Sequence, residues 1–445
     1  MPKPRFLYIQ TFGCQMNEYD SARVEHLLAV AGYRLTSEIK QADVIFVNTC
    51  AVREKAEQKV FSYLGRIRRL KISHPQLKIV IAGCMAQQLG KALLDRFGHL
   101  DLVLGTRSLA ALPRLLQEIQ TKPRRIVHLT DEPDSYDPSD GEGRIANRGV
   151  SAPVTIMQGC DNYCSYCIVP YVRGAERSRA SSEILHEIRR HVEAGVCEIL
   201  LLGQNVNSYG KKAGAEISFP ALLHRIQAVT NLKRLRFTTS HPKDATEELM
   251  RCFVDLECLC ENLHLPLQAG SDRILALMNR GYTASQYLAK IERLRHICPG
   301  ISLSADVMVG FPGETESEFQ DTMRLLERIQ FDSLFSFRYC DRPFAKAAQF
   351  PDKVAEEDKA RRLAELQALQ AEITLRKNQA EVGQVREILV EGPSKSGDDQ
   401  YTGRTRQNRI VNFESPVDLT GRLISVRIHQ AFSHSLRGEW IEGGD

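Results

Sequence analysis

Three times within the first 84 residues an apolar run closes on a cysteine: RFLYIQTFGC ends at Cys14, ADVIFVNTC at Cys50 and LKIVIAGC at Cys84. The runs are short and rich in leucine and β-branched residues, as strands buried on both faces are. SARVEHLLAVAG, KAEQKVFSYLGRIRRLKIS and QQLGKALLDRFG carry helical spacing, and HLDLVLGT supplies a further strand. Repeated βα units imply a parallel sheet in a three-layer domain. All strands of such a sheet end on one edge, where ligands bind. Three thiols far apart in sequence are thereby brought to one place. Any one of them alone reads as a small apolar residue at a strand end; the same position in three successive units favours a shared site.

A second trio is local. GCDNYCSYC holds Cys160, Cys164 and Cys167 directly after the apolar run APVTIMQG. Three thiolates in one loop can hold one face of an iron–sulfur cluster, and a [4Fe–4S] cluster with three protein ligands keeps one iron open to a small molecule. Structural zinc wants four closed ligands, typically from two close pairs. The dispersed trio fits the same scheme and reads as a second cluster with an open iron. The chain has 12 cysteines, with no apolar leader at MPKPRFLYIQTFGC and no run near the ~18 residues of a membrane span. It therefore reads as soluble and cytosolic, a compartment where disulfides are rare. Cys197, Cys252, Cys258, Cys260, Cys298 and Cys340 lack any such placement and read as buried or incidental thiols.

APVTIMQG opens a second βα series, continued by CEILLLGQNV, LKRLRFTTS, ENLHLPLQ, ISLSADVMVG and FDSLFSFRY. Six repeats fit a βα-barrel two units short of the usual eight, with an open side for a bulky substrate. A charged helix from Pro351 follows, with Leu363, Leu366, Leu369 and Ile373 as one apolar stripe that docks on the barrel. The short strands after about 378 read as a small antiparallel barrel. The expected organisation is α/β: residues 5–121, a linker at 122–145 within an acidic Pro/Gly/Ser-rich stretch, a partial barrel at 146–375 and a β-domain at 376–442.

Polar residues recur at the barrel's strand ends: Gln204, Asn205 and Asn207, then Ser240 and His241, then His264 and Gln268. VGFPGE, from Gly310 through Pro312 and Gly313 to Glu314, permits close backbone approach to a nucleoside. Arg173, Arg177 and Arg179 follow the cysteine loop, and Arg404, Arg406 and Arg409 lie on one late strand. RIRRLK (Arg66, Arg68, Arg69, Lys71) reads as a solvated helix face. The net charge of +4 argues nothing about nucleic acid, and acids and bases balance from residue 376 onward, so any RNA footprint is a local patch.

The Cys-x3-Cys-x2-Cys loop ahead of a partial βα-barrel resembles the radical S-adenosylmethionine (SAM) enzymes. The dispersed cysteines and the terminal β-domain narrow the resemblance to the methylthiotransferases. TFGCQMNEYDS, VNTCAVREKAEQKVFS, GCDNYCSYCIVPYVRGAERSR, LLGQNVNSYG, FTTSHP, LHLPLQAGSDRILALMNRGYT and VGFPGETE are similar to the bacterial MiaB type, which methylthiolates isopentenyladenosine beside the anticodon of tRNA. The resemblance implies a flavodoxin-like first domain, a TIM-type (β/α)6 core and a TRAM domain. It implies two [4Fe–4S] clusters, with Cys160, Cys164 and Cys167 on the SAM-cleaving one and Cys14, Cys50 and Cys84 on the auxiliary one. One SAM would give a 5′-deoxyadenosyl radical at the target carbon, and a second would donate the methyl group. Gln204, Asn205, Ser240, Gln268, Gly310, Pro312 and Gly313 would contact SAM. Arg173, Arg177, Arg179, Arg404, Arg406 and Arg409 would contact the tRNA anticodon stem-loop. A flavodoxin or ferredoxin would supply electrons, and the chain would act as a cytoplasmic monomer with no membrane partner.

RYCDRPFAKAA departs from the family's usual YSPRPGTPAA-like stretch at Cys340, Asp341 and Phe344, so the resemblance does not carry the geometry after the sixth strand. Two alternatives stand beside this reading. One is the same chemistry on a ribosomal-protein aspartate or another modified tRNA adenosine. The other is a non-catalytic RNA-binding protein whose cysteines hold zinc.

Overall fold

The computed structural model describes residues 4–51, 54–130, 149–212, 216–394 and 400–441, so most of the expected linker lies outside the described residues. By their contacts the residues form two units.

The first unit contains β1 (Arg5–Thr11), α1 (Gln15–Val30), β2 (Tyr33–Leu35), β3 (Val44–Thr49), α2 (Glu54–Ser73), β4 (Lys78–Gly83), α3 (Cys84–Leu89), α4 (Lys91–Arg96), β5 (Leu102–Leu104), α5 (Leu112–Thr121) and β6 (Ile126–His128). Its strands form one parallel sheet in the order β2-β1-β3-β4-β5-β6. VIFVNT and KIVIAG are buried at every residue, which is why they read as continuous apolar runs. Alternate side chains serve opposite faces: Ile45, Val47, Ile79 and Ile81 join one core, and Val44, Phe46, Val80 and Ala82 the other. Burial of each such side chain contributes roughly 1.5–3 kcal/mol. Strands β2 and β6 go beyond the sequence reading, since three residues carry too little periodicity to stand out. The expected helix QQLGKALLDRFG is broken at Gly90, whose φ of 49° ends α3 before α4 begins.

Gln158–Asp161 and Cys167–Arg177 also belong to this unit. They include α6 (Val169–Arg173), whose neighbours Ile168 and Val172 join the apolar core beneath α2 and α3.

The second unit is built on β7 (Ser151–Thr155), followed along the chain by the two-residue strands β8 (Met157–Gln158) and β9 (Arg177–Ser178). Then come α7 (Ser181–Glu193), β10 (Glu198–Leu202), α8 (Phe219–Gln227), β11 (Arg234–Phe237), α9 (Glu247–Asp255), β12 (Asn262–His264), α10 (Asp272–Leu277), α11 (Ala284–Ile297), β13 (Ser302–Val309), α12 (Glu316–Ile329), β14 (Ser333–Arg338) and α13 (Glu356–Gln379). The parallel sheets β11-β10-β7 and β12-β13-β14 are joined by a bridge between Leu235 and Leu259. Six strands in that sequence make the expected partial barrel. Helices α11 and α12 begin with capping boxes, Thr283 with Gln286 and Thr315 with Glu318. On α13, Leu366 and Ile373 are buried and Leu363 and Leu369 pack on the barrel core, as the stripe requires.

Strands β15 (Val385–Pro393), β16 (Gln400–Thr405), β17 (Ile410–Glu414), β18 (Leu423–Ala431) and β19 (Leu436–Trp440) close a five-stranded barrel. One pair differs from the antiparallel expectation: β17 and β19 run parallel, Val411 opposite Leu436. Closure leaves no open sheet edge.

Candidate functional site

In the first unit, strand register brings the dispersed cysteines together. Thr11 pairs opposite Asn48, and Thr49 opposite Gly83. Cys50 directly follows β3, Cys84 directly follows β4, and Cys14 is the N-cap of α1. Two buried asparagines lock these ends. Asn17 Nδ2 donates to Asn48 Oδ1 (2.9 Å) and the Thr49 carbonyl (3.1 Å), and Asn48 Nδ2 donates to the Asn17 carbonyl (2.8 Å) and Ser21 Oγ (3.0 Å). The backbone approach is close enough to require glycine. A Cβ on Gly13 would lie 2.8 Å from Cys50 Cβ, and one on Gly83, whose φ is +96°, would lie 2.3 Å from the Thr49 carbonyl oxygen.

Arg173, at the end of α6, belongs to this same place. Its Nη2 donates to Asp20 Oδ2 at 2.7 Å, and both side chains are about 95% buried, at 5% and 4% exposure. Burial pushes the Cys84 thiol up, and Arg173 beside it pulls it back; the charges of Cys14 and Asp20 act next. Burial opposes the Arg173 charge, yet Asp20, Cys84 and Cys14 hold its pKa well above the ordinary value. The other terminal nitrogen, Nη1, is buried without a hydrogen-bond partner.

The local trio is held by its loop. Gly159 adopts φ +78°, where a Cβ would lie 2.1 Å from the Ala175 carbonyl oxygen, and Cys160 N–H donates to the Gly174 carbonyl (3.1 Å). In the second unit, Ser165 donates through N–H to the Met278 carbonyl (3.0 Å) and through Oγ to the Leu277 carbonyl (2.7 Å). Asn279 donates to the carbonyls of Asn162 and Tyr163. The departing stretch after β14 reaches the same loop: Ala347 N–H donates to the Ser165 carbonyl at 2.7 Å. There Asp341 accepts from Tyr339 and Lys353, and Phe344 is exposed at φ +69°.

Arg280 is the residue that sequence reasoning missed. Its Nη1 lies 3.4 Å from Cys164 Sγ and 3.5 Å from Tyr166 OH; Nε donates to Tyr282 OH (3.0 Å) and Nη2 to the Pro266 carbonyl (3.0 Å). Burial opposes its charge, but Tyr166, Tyr282 and Cys164 hold its pKa well above the ordinary value. No carboxylate is among these partners. A buried guanidinium without a carboxylate calls for another anion, which a metal-ligating Cys164 thiolate supplies. The chemistry of the donor set therefore fits an anionic cluster. Among the described residues no three Cys, His, Asp or Glu side chains stand as a single-metal site. A lone arginine in ALMNRGYT carries no sequence signal of its own; only the fold sets it on a cysteine.

At the barrel's strand ends three buried polar atoms have no hydrogen-bond partner: Asn205 Oδ1, Ser240 Oγ and His241 Nε2. Their neighbours fix them. Asn205 Nδ2 donates to Asp244 (2.8 Å), and Asn207 and His241 exchange hydrogen bonds at 3.0 and 2.8 Å. His241 Nδ1 accepts from Lys243 N–H, so the neutral ring carries its proton on Nε2. Burial first, then the charges of Arg280, Lys243 and Lys211, press the His241 pKa to about 2. Unsatisfied buried donors and acceptors are costly unless a ligand meets them, and these three fit the polar groups of SAM.

Gln268 is buried at φ +73°, tied through its backbone to Asp306 and Met308. Gln204 is half-buried at the end of β10. His264 meets Ser304 (3.0 Å), Asp306 (3.5 Å) and the ring of Phe335. The loop holding Pro312 is closed internally: Gly310 N–H donates to Glu314 (2.6 Å), itself paired with Arg362, and Gly313 N–H to the Asp352 carbonyl. Contact of that loop with a nucleoside thus falls to its carbonyl oxygens and side chains, not to these two amides.

The arginines expected on RNA are placed otherwise, and this is a correction. Arg173 is buried with Asp20 as described. Arg179 pairs with Glu187 (2.7 Å) and the Thr155 carbonyl. Arg406 binds Glu261 in a fork (2.7–3.0 Å), and Arg409 binds Asp332 (2.8 Å) and Asn378. Arg234 and Arg236 of β11 reach back to Glu387 and to the Thr405 and Arg406 carbonyls. Glu261, Arg234 and Asp332 stand at or before the amino ends of their strands, so these guanidinium groups fasten the small barrel there. Arg404 pairs with Glu391 (2.7 Å). Of the six, Arg177 is the exposed one with no ion pair.

Comparisons with known proteins agree along the chain. Residues 6–105 match the uncharacterized protein family UPF0004, residues 154–326 the radical SAM superfamily and residues 379–441 the TRAM domain. The tRNA-2-methylthio-N(6)-dimethylallyladenosine synthase of Syntrophobacter fumaroxidans is 60% identical over 99% of this chain and 96% of its own length. That of Syntrophus aciditrophicus is 50% identical over 98% and 95%. Among solved structures, the radical SAM methyltransferase TsrM from Kitasatospora setae with cobalamin and a [4Fe–4S] cluster bound matches at a TM-score of 0.56 with 14% identity, covering 78% of this chain and 74% of that one. The cobalamin-dependent enzyme OxsB with SAM bound matches at 0.52 and 11%, covering 83% and 56%. At such identity these two speak to fold alone.

Proposed function

The chain belongs to the tRNA-2-methylthio-N(6)-dimethylallyladenosine synthases and is a radical SAM tRNA methylthiotransferase; from that premise we propose how its residues divide the work. Cys160, Cys164 and Cys167 hold a [4Fe–4S] cluster that binds SAM, and Cys14, Cys50 and Cys84 hold an auxiliary one. When bound, the first cluster and SAM supply the radical, and the auxiliary cluster supplies the sulfur for carbon 2 of isopentenyladenosine. Asn205, Ser240 and His241 offer their unpartnered buried atoms to SAM, with Gln204 and Gln268 beside them. His241 stays neutral and donates from Nε2. Arg280 holds the Cys164 thiolate and balances its charge. Tyr282, which donates to the Leu267 carbonyl at 2.8 Å, fixes Arg280 in turn.

We assign the chain's segments as residues 5–121, 122–145, 146–375 and 376–442, with the last domain and Arg177 engaging the tRNA. The protein acts as a cytoplasmic monomer, reduced by a flavodoxin or ferredoxin. Among the described residues no helix is long and apolar enough to cross a membrane.

The observation that carries this reading is the presence of two cysteine trios in one chain, each beside a buried arginine. Anaerobic reconstitution should give about eight irons per chain, two four-iron clusters; about four, or zinc alone, would overturn it. In tRNA nucleosides from a deletion strain, the methylthio-isopentenyladenosine signal should vanish and return with this chain. Its persistence would assign the activity elsewhere, for example to a ribosomal-protein aspartate.

A further inference from the structure

Arg173 sits where the dispersed cysteines meet, and only half of its guanidinium is used. Nη2 is bound to Asp20 at 2.7 Å, and Nη1 has no hydrogen-bond partner although the side chain is 95% buried. The charge is already balanced by Asp20, so neutrality alone does not explain the second donor. A buried N–H of a charged group without an acceptor costs several times what a neutral one does. The groups that bear on Arg173 electrostatically, apart from Asp20, are Cys84 and Cys14. Its backbone is also held firmly, since α6 is anchored by Ile168 and Val172 in the core and by a hydrogen bond from Thr106 Oγ1 to the Val172 carbonyl. A spare donor held this rigidly beside three converging thiols is a preorganised half of an anion site.

We propose that Arg173 Nη1 is a hydrogen-bond donor to a small sulfur anion, hydrosulfide or its alkylated thiolate, held at the Cys14, Cys50 and Cys84 centre. The proposal rests on the auxiliary-cluster reading above and adds the protein's own contribution to retaining the sulfur. Three thiolates leave the centre net anionic, and a further anion arriving there is repelled. Asp20 sharpens that repulsion. The unpartnered N–H offsets it at short range and in one direction, which a distant lysine would not do. The guanidinium fork suits this arrangement: one terminal nitrogen is occupied by Asp20 while the other stays free for the ligand.

The test uses the full chain with Cys160→Ala, Cys164→Ala and Cys167→Ala, so that the dispersed trio is the sole cluster site. Sodium sulfide is titrated anaerobically into the reconstituted protein, and binding is followed by the electron paramagnetic resonance signal of the reduced cluster. Arg173→Lys keeps a cation for Asp20 but lacks the second terminal nitrogen of the fork. It should load the same iron as its parent, about four per chain, and bind hydrosulfide about ten- to a hundredfold more weakly, the loss of one charge-assisted hydrogen bond. The double variant Asp20→Asn with Arg173→Gln removes the pair without stranding a charge and should weaken binding at least as far. Unchanged affinity in Arg173→Lys overturns the proposal. So does failure of both variants to take up iron, which would make Arg173 a scaffold residue. A parent protein that holds no iron overturns the auxiliary cluster itself, and an iron count separates that failure from the others.

Discussion

The two cysteine trios reach similar surroundings by opposite construction. Cys160, Cys164 and Cys167 lie within eight residues of one another, and their loop is fastened by Ser165, Asn279 and Arg280. Cys14, Cys50 and Cys84 come from three βα units, and their spacing is set by strand register and the Asn17–Asn48 clamp. Each trio has one buried arginine, but the arginines differ. Arg280 has every arm engaged and no carboxylate among its partners, whereas Arg173 is neutralised by Asp20 and keeps one nitrogen free. The first acts as a counter-charge to a ligating thiolate; the second is built to meet something further. A local motif tolerates a shift in the sheet beyond it, while a site made by register does not.

The largest separation between the trios should come from Gly83. Gly83→Ala puts a Cβ 2.3 Å from a backbone oxygen at a φ of +96°, a strain of about 3 kcal/mol that only movement of β3 against β4 relieves. The variant should reconstitute about four irons instead of about eight. It should still form 5′-deoxyadenosine from SAM while losing methylthiolation by at least about a hundredfold. Full iron loading would show that register is not what builds the dispersed site.

Asn48→Ala tests the clamp more gently. It leaves the Asn17 amide without its acceptor in the interior, at about 1–3 kcal/mol. A chelator should then strip iron from the dispersed trio several times faster than in the parent, with the local trio unaffected. Equal stripping rates would assign the clamp to general stability.

The contrast also explains what was legible in the sequence. The local trio is a spacing pattern, visible without any fold. The dispersed trio needed one inference, that RFLYIQTFG, ADVIFVNT and LKIVIAG are parallel neighbours, and strong apolar runs supplied it. The six barrel strands were legible for the same reason. Arginines were not. A guanidinium looks alike in sequence whether it faces RNA, as Arg406 was expected to, or grips Glu261 as it does. Arg173, Arg280 and Arg409 share that ambiguity, because pairing across 77 to 153 residues leaves no local trace. Nor do Asp20, Asn17 and Asn48 announce themselves, since buried asparagines earn their positions only through partners on other strands.

Arg280→Met sharpens the comparison at the other trio. Removing the donor and its charge from Cys164 makes the reduced, more negative cluster less favourable. The midpoint potential of the SAM-binding cluster should fall by roughly 60 mV, a tenfold change for one electron. Electron paramagnetic resonance during redox titration reads this directly. The auxiliary cluster's potential should stay put, and Arg280→Lys should recover part of the shift. Coincident movement of both potentials would mean that Arg280 acts through the fold as a whole.

The smallest effect concerns His241, near Arg280, and it appears as a pH slope. Its folded pKa of about 2 lies below the ordinary 6.5. Below 6.5 the unfolded chain therefore binds a proton that the folded chain refuses. Stability then rises with pH up to that value and is lost as pH falls through it. Between pH 7 and pH 6 the loss is about 0.7 kcal/mol, steepening to about 1.4 kcal/mol per unit further down. His241→Phe should flatten this slope in chemical denaturation while reducing SAM affinity, because Nε2 is among the unpartnered buried donors. Arg173 stays charged across this range, with Asp20 and two thiols holding it so, and Arg173→Lys should leave the slope unchanged. If the slope survives in His241→Phe, the charges surrounding this ring do not keep it neutral, and the donor assigned to Nε2 would have to be shared with Nδ1.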